Sequence, residues 1–547
     1  MNYRILTALM GQSRTTPGII RAALPHPLAR WQPVLLLGLA LLVGGLLRFP
    51  GLHDRLEPIH RESELVILAY TRAPDDLLCT VFAASGLCSA SMSPTTPQAV
   101  ESYGPGQPRA GPAVVWRRLV GVGPGDIERG RLVSAIAGLA TIVACWWVAR
   151  VLAGPLAGSV AAHAYAIAPL AVIPNRLALP VSTATLCLVL DAGCAALAYR
   201  RQRSRSLALA GLVLLALAGL LDGAVAAAMP LLLLAAVAWR SRAGTLGRLL
   251  GSYVRSRRGL LALLAGVAVV AALVGVGYSR IFQVLLVVRN LAWTLVFDLP
   301  VGGWVALLIG AYFVARHGTP AARVCAAGAA VLIATAGLMD LLGGRGAAPD
   351  VLPALALWIV AAATLAPRLV DGWRRLRAND GAGASLAVAA ALVTVSLVVI
   401  PALLLSTRWS LDPANAEVSP NEQWEYQAGQ ESGGGCTALV DTLRTLSADQ
   451  PLTVVGLGSR HSCLRMRIVT ESLPVTWQDD LPRAAAPPLP APPTGVLLAQ
   501  AEYLGSQRVR TLSSRALAPS GWELILRTRR PQGVYGYALY RPSISQR

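Results

Sequence analysis

The sequence contains no lysine, so all 48 of its basic residues are arginine. It is also short of charge, at 14%, where soluble domains carry about 25%. That shortage, beside a hydrophobic content of 54%, excludes a soluble single domain and a disordered chain. Eight cysteines in 547 residues exclude a disulfide-framework miniprotein. No HExxH, no Cys–His zinc spacing and no phosphate-cradling P-loop is present, and the six histidines form no spaced ligand set. The GLG at 456–458 follows a strand-like run but lacks the third glycine and acidic partner of a dinucleotide site. The arginine excess, +20 net, is no nucleic-acid surface, because such surfaces do not come with a mean hydropathy of +0.55. The exclusive use of arginine, beside heavy Ala, Gly and Pro, fits a GC-rich coding sequence and is given no functional weight.

What is abundant is apolar run length. A helix crosses a bilayer with about 20 apolar residues. The first such run is 31–50, and FPGLHDRLEP after it offers no small-residue cleavage pattern, so it is expected to be retained as a helix. A polar stretch, 51–130, follows. Further runs lie at 131–152, 156–174, 177–199, 207–221, 224–239, 259–278, 301–316, 324–343, 351–367 and 385–405, for about eleven spans in all. Residues 279–300 are interfacial or re-entrant, interrupted by Arg280, Arg289 and Asp298; if they span, the count is twelve.

Arginine placement gives the orientation. Short cytoplasmic loops attract arginine. One alternate set of loops holds Arg4, Arg14, Arg21 and Arg30, then Arg150, RRQRSR (200–205), 240–258, 316–323 and PRLVDGWRRLR (367–377). The short loops of the other set hold few. The N-terminal arm, 1–30, is therefore expected inside a bacterial-type cytoplasmic membrane. With eleven spans, everything beyond 406 is outside, and membrane lipids are direct partners.

At 407–547 the composition changes: Asp, Glu, Gln, Ser and Pro enter and the long apolar runs stop. TALVDTLRTL has helical period. LTVVGLGS, VLLAQ, WELILRTR and VYGYALYRP read as strands, the last two as a hairpin across RPQG, with a Pro-rich loop at 482–495. A small extracytoplasmic α/β domain fits. Cys145, Cys187, Cys194 and Cys325 lie in spans as packing residues. Cys79 with Cys88, and Cys436 with Cys463, share outer regions. They are two disulfides or four separate thiols.

The order of these pieces, with RLVSAIAGLATIVACWWVARVLAGPLAGSVAAHAYAIAPLAVIPNRLALP (131–180) and LALAGLVLLALAGLLDGAVAAAMPLLLL (207–234), resembles the GT-C membrane glycosyltransferases. The branch it is similar to holds the bacterial relatives of protein O-mannosyltransferases and the lipid A aminoarabinose transferases. The resemblance covers about the first 240 residues by sequence. It implies an α-helical polytopic fold with residues 31–406 as the GT-C-like membrane domain. It implies transfer of a sugar, with inversion, from a polyprenyl-phosphate donor to a protein or lipid acceptor. It also implies an acid in the first outer loop as base and cations for the carrier phosphate.

Carried over by position, the family's Asp-Glu pair falls on Arg61 and Glu62 in IHRESELVILAY (59–70), with Glu64 an extra acid. Glu62 or Glu64 is the base, or the RESE acids simply open an interfacial helix. The family's His-Pro-Pro meets PRAGPAVVW (108–116), where Pro112 matches and the histidine does not. Arg131 matches an arginine at the next helix start, as phosphate ligand or interfacial anchor. In NRLALP (175–180), Arg176 and Pro180 match a Ser-Arg-x-Ala-Arg-Pro loop while Leu179 replaces its second arginine, and Arg176 is a phosphate ligand or a snorkelling residue. The lysine expected eight residues before Pro230 is Asp222. Arg61 and Asp222 are both reversed in sign, which fits a swapped pair. A divalent cation shared by Glu62 or Glu64 and lipid phosphate is the one cofactor these acids offer. Without the family's Asp, His and Lys, a non-catalytic protein that binds a lipid-linked sugar or scaffolds envelope assembly is the alternative. A transporter would need paired halves, and no internal repeat is present.

Overall fold

The computed structural model describes chiefly residues 28–52, 127–200, 205–222, 310–343, 351–379, 392–413, 435–457, 462–481, 496–503, 522–528 and 535–542, together with Glu62. The chain divides into two compact units. One holds Met1–Pro50, Ser134–Arg176 and Val181–Thr407; the other holds Gly51–Val133, Leu177–Pro180 and Arg408–Arg547.

The first unit is helical: α1 (Leu28–Arg48), most of α2 (Ile127–Ala153), α3 (Pro155–Ile167), α4 (Pro169–Asn175), α5 (Val181–Arg200), α6 (Arg205–Leu221), α7 (Pro320–Gly343), α8 (Leu352–Ala363), α9 (Ala366–Asn379) and the start of α10 (Ile400–Leu411). Trp31–Arg48, Ile127–Ala153, Val181–Ala198, Leu352–Arg374 and Leu392–Leu411 are each long and apolar enough to cross a bilayer. Large apolar side chains face outward along them, among them Leu35, Leu42 and Leu46 on α1 and Leu397 and Leu404 before and within α10. An outward apolar surface of this extent is stable in lipid and not in water. The protein is a multi-pass membrane protein.

Local chemistry sets the helix boundaries. Gly154, at φ 97°, follows α2 in the left-handed region that glycine alone adopts without strain, and Pro155 starts α3. Small residues let helices approach closely. A Cβ on Gly138 would come within 2.5 Å of the Asn175 side chain, and one on Gly211 within 2.7 Å of Asp191.

Three sequence expectations are corrected. The span at 156–174 is two half-helices, α3 and α4, bent by 60°. Pro169 disfavours helical backbone at the residue before it, and Ala168 is extended at φ −66°, ψ 120°. The loop at 367–377 is instead the amphipathic helix α9, in which Arg368, Asp371 and Arg374 fall on an exposed face. The last span continues to Leu411, and a π turn (Val395–Val399) precedes Pro401, whose missing N–H interrupts the regular ladder. Expected spans 259–278 and most of 224–239 and 301–316, with the segment 279–300, lie outside the described residues.

In the second unit, residues 435–542 build a five-stranded mixed sheet. Its strands are β1 (Leu452–Leu457), β2 (Val475–Leu481), β3 (Val496–Tyr503), β4 (Trp522–Arg527) and β5 (Tyr535–Pro542), in the order β2-β1-β3-β5-β4. β1 runs parallel to β2 and β3; β5 runs antiparallel to β3 and β4. Helix α11 (Cys436–Leu446) buries Cys436, Leu439, Val440 and Leu443, one stripe of period 3.6. That stripe packs with Val454, Leu464, Ile468, Tyr537 and Leu539. Helix α12 (Ser462–Thr470) links β1 to β2, and a disulfide joins Cys436 to Cys463. Sequence pattern did not reveal α12 or β2. Arg465 and Arg467 dilute the apolar period of α12, and the consecutive polar residues Gln478, Asp479 and Asp480 break the alternation of β2. Cys79 and Cys88 lie outside the described residues.

Candidate functional site

The second unit brings together two of the residues that the resemblance selected from separate stretches. Arg131 stands near the start of α2. Its Nε and Nη2 donate to Glu62 Oε1 and Oε2 at 2.9 and 2.8 Å, a bidentate fork on one carboxylate. Its Nη1 donates to the Leu52 carbonyl at 3.1 Å. Glu62 Oε1 also accepts from the Ala178 backbone N–H at 2.6 Å. Arg131 is 2% exposed and Glu62 is 0% exposed, so neither charge is compensated by water. A buried ion pair survives desolvation only when geometry is good and the remaining donors are satisfied. Here one planar donor meets one planar acceptor, and both are tied to backbone. A carboxylate that acts as base must aim a lone pair at the acceptor hydroxyl. Both oxygens of Glu62 already receive the Arg131 fork.

The other candidates are placed differently. Arg176, four-hundredths exposed, ends α4. Its Nη1 donates to the carbonyls of Leu47 and Arg48 at 3.1 and 3.4 Å, and its Nη2 to Pro50 at 2.8 Å. It therefore caps the end of α1, where a cation meets the negative end of the helix dipole. Asp222 Oδ1 accepts from the Val225 N–H at 3.0 Å, the hydrogen bond of an N-cap. Arg61, its suggested partner, and Glu64 and Pro112 lie outside the described residues.

Sequence reasoning missed Arg48, Tyr165 and Ser406. In an unbroken helix the N–H of residue 169 would bond to Tyr165, but proline has none. The end of α3 thus strands the carbonyls of Tyr165, Ala166 and Ile167. Arg48 Nη2 donates to Tyr165 at 3.2 Å and Nη1 to Ala166 at 2.9 Å, while Ser406 Oγ donates to Ile167 at 2.8 Å. Arg48 Nη1 also reaches Gly44, one turn back, at 3.1 Å, and its guanidinium stands 5.7 Å from the Tyr165 ring centre. All three orphan carbonyls are satisfied inside an apolar bundle, where no water is at hand to pair them. Arg48 carries this reciprocal arrangement with Arg176: each arginine closes the other segment's helix end. The available signals were Ala168-Pro169 inside an apolar run and a lone arginine at the end of another.

Among the described residues no group of three or more His, Cys, Asp or Glu side chains could hold a metal ion. Glu62 already meets the Arg131 cation, so the described residues do not fit a divalent cation.

The chain is similar in structure to ArnT from Cupriavidus metallidurans in the apo state, at TM-score 0.50 and 14% identity over 94% of this chain and 98% of that one. It is also similar to the same protein bound to undecaprenyl phosphate, at 0.47 and 14% over 93% and 98%. The archaeal oligosaccharyltransferase AglB from Archaeoglobus fulgidus, in complex with an inhibitory peptide and a dolichol-phosphate, gives 0.47 and 13% over 95% and 75%. No protein-family profile matches the chain, and no curated protein matches it in sequence. The likeness to apo ArnT shows the fold, the GT-C fold that the sequence resemblance implied.

Proposed function

We propose that this protein is a membrane glycosyltransferase that moves a sugar from a polyprenyl-phosphate donor to a protein or lipid acceptor at the outer face of a cytoplasmic membrane. The observation that carries the reading is the Glu62–Arg131 pair. The resemblance nominates both residues from sequence stretches 69 positions apart, and they meet as a buried bidentate pair. In this reading Glu62 is a positioning residue that fixes the first outer loop against α2. Glu64, two residues on, is the base. It takes the proton of the acceptor hydroxyl as that oxygen attacks the anomeric carbon. The bond from that carbon to the phosphate oxygen breaks, inverting the centre. The cation assigned to the phosphate leaving group is Arg61, since Arg131 holds Glu62 and Arg176 holds carbonyls.

The chain is read in three parts: an inner arm (1–30), a GT-C-like membrane part (31–406) with outer loop 51–130, and an outer α/β domain (407–547). The Cys436–Cys463 disulfide supports the outer placement of the last part, because disulfides persist in oxidising compartments.

The second reading is a non-catalytic protein that holds a lipid-linked sugar. It is favoured by the engagement of both Glu62 oxygens and by the substitution of the family Asp by Arg61. Membranes carrying the parent chain, Glu62→Gln or Glu64→Gln are offered radiolabelled polyprenyl-phosphate sugar. Transfer is expected in the parent and to fall about 100-fold or more in Glu64→Gln, the usual scale for a lost general base. Unchanged transfer in Glu64→Gln removes the base assignment. Donor retained without transfer by the parent selects the second reading.

A further inference from the structure

A cluster of cations lies within the first unit. Helical residues 310–317 pack with α7 and the end of α8 through Val314, Ala322, Cys325, Ala361 and Leu365. Arg316 closes the first of these segments. Its Nη1 donates to the Tyr312 hydroxyl at 2.7 Å, with the guanidinium 6.0 Å from the centre of that ring. Arg323, one turn into α7, donates through Nη2 to the Arg316 carbonyl at 3.2 Å. Its Nε is buried and meets no acceptor among the described residues. Arg368 rises from α9. His317 lies among all three: burial, then Arg316, Arg368 and Arg323, lower its pKa. The N-terminus of α7, capped by Thr319 through the Ala322 N–H at 3.2 Å, adds its positive dipole end.

No carboxylate pairs with Arg323 or Arg368 among the described residues. The acid on α9, Asp371, lies 3.8 Å from Arg374 instead. Arg323 and Arg368, an imidazole and a helix N-terminus, with no carboxylate on either arginine among the described residues, call for an anion. The apolar neighbours say which. Leu369 is 51% exposed and Trp373 is 37% exposed, one helical turn apart beside Arg368, on a helix that continues from the apolar α8. A basic amphipathic helix with tryptophan at its apolar edge lies at a lipid headgroup boundary.

We propose that Arg323 and Arg368 bind the phosphate of an anionic phospholipid headgroup, with Leu369 and Trp373 seated against its acyl chains. This inference stands apart from the transferase reading and shares no residue with it.

The test uses the purified, delipidated full-length protein and native mass spectrometry, with phosphatidylglycerol, phosphatidylcholine and inorganic phosphate as separate additions. Retention of phosphatidylglycerol above phosphatidylcholine is expected, with no comparable retention of inorganic phosphate. The pair Arg323→Gln/Arg368→Gln is expected to weaken retention by about fivefold per arginine, following about 1 kcal/mol for each cation at a lipid surface. Arg368→Gln alone, on an exposed helix, keeps the test open if the double variant misfolds. Arg541→Gln, which removes one charge from β5, is expected to leave retention unchanged. Equal retention by the parent and Arg368→Gln overturns the proposal, as does equal binding of the two lipids. Inorganic phosphate held as firmly as phosphatidylglycerol also overturns it, by making the site one for free anions.

Discussion

Arg131 and Arg48 are both buried, yet they are made tolerable by opposite means. Arg131 meets a full carboxylate, Glu62, and also donates to the Leu52 carbonyl. Arg48 donates to three carbonyls, two of them stranded by the α3–α4 break and one in its own helix. In the first case formal charge neutralises formal charge. In the second, the partial charges of two helix C-termini, α1 and α3, carry the load. The comparison teaches that a buried arginine is no guide to an acid nearby. The same fork that grips a carboxylate also repairs a broken helix.

The largest effect is expected at the charged pair. Glu62→Ala leaves Arg131 buried without its counter-charge and should cost about 4 kcal/mol, read as loss of thermal stability in detergent. The double variant Glu62→Ala/Arg131→Met should be milder than the sum of the single changes. Simple additivity would show that the two do not act as a unit.

Next comes the repair. Arg48→Met leaves two break carbonyls unpaired and should cost about 2 kcal/mol, visible as faster hydrogen exchange around 164–172. The comparison sharpens when Pro169→Ala is added. That change supplies the missing N–H for Tyr165, so Arg48→Met should then cost less. An equal cost in both backgrounds would mean that Arg48 does not serve the break.

The smallest effect belongs to Asp222. Asp222→Ala removes an N-cap hydrogen bond and should cost about 1 kcal/mol, while Asp222→Asn or Asp222→Ser should restore most of it. A loss that only a second acid repairs would instead favour a charge pairing such as the one suggested with Arg61.

The membrane character was legible because hydropathy over a span-length window needs no partner to interpret it. The strands around Val454 and Tyr537 and the helix over Cys436–Leu446 were legible because alternation and 3.6-residue period are local signals. Glu62 and Arg131 were legible as candidates through resemblance, but their pairing was not. Neither residue's surroundings in sequence name the other. Arg176 was read as a phosphate ligand or a snorkelling side chain, and its actual carbonyl partners belong to a segment more than 120 positions earlier. The break at Ala168 had a local sign, Pro169, that the continuous apolar run concealed.

Sequence by itself determined that this chain lives in a bilayer, where its helices begin and end at glycine and proline, and which few charged residues have no place in a loop. Those are matters of transfer free energy and backbone stereochemistry, set residue by residue. Tertiary structure alone decided what each buried charge does. An arginine's role depends on which acceptor lies within about 3 Å of its fork. That distance is fixed only when segments remote in sequence pack together. Arg131 thereby became half of an ion pair, Arg48 closed the end of α3, Arg176 closed the end of α1, and Asp222 accepted the Val225 N–H as an N-cap does.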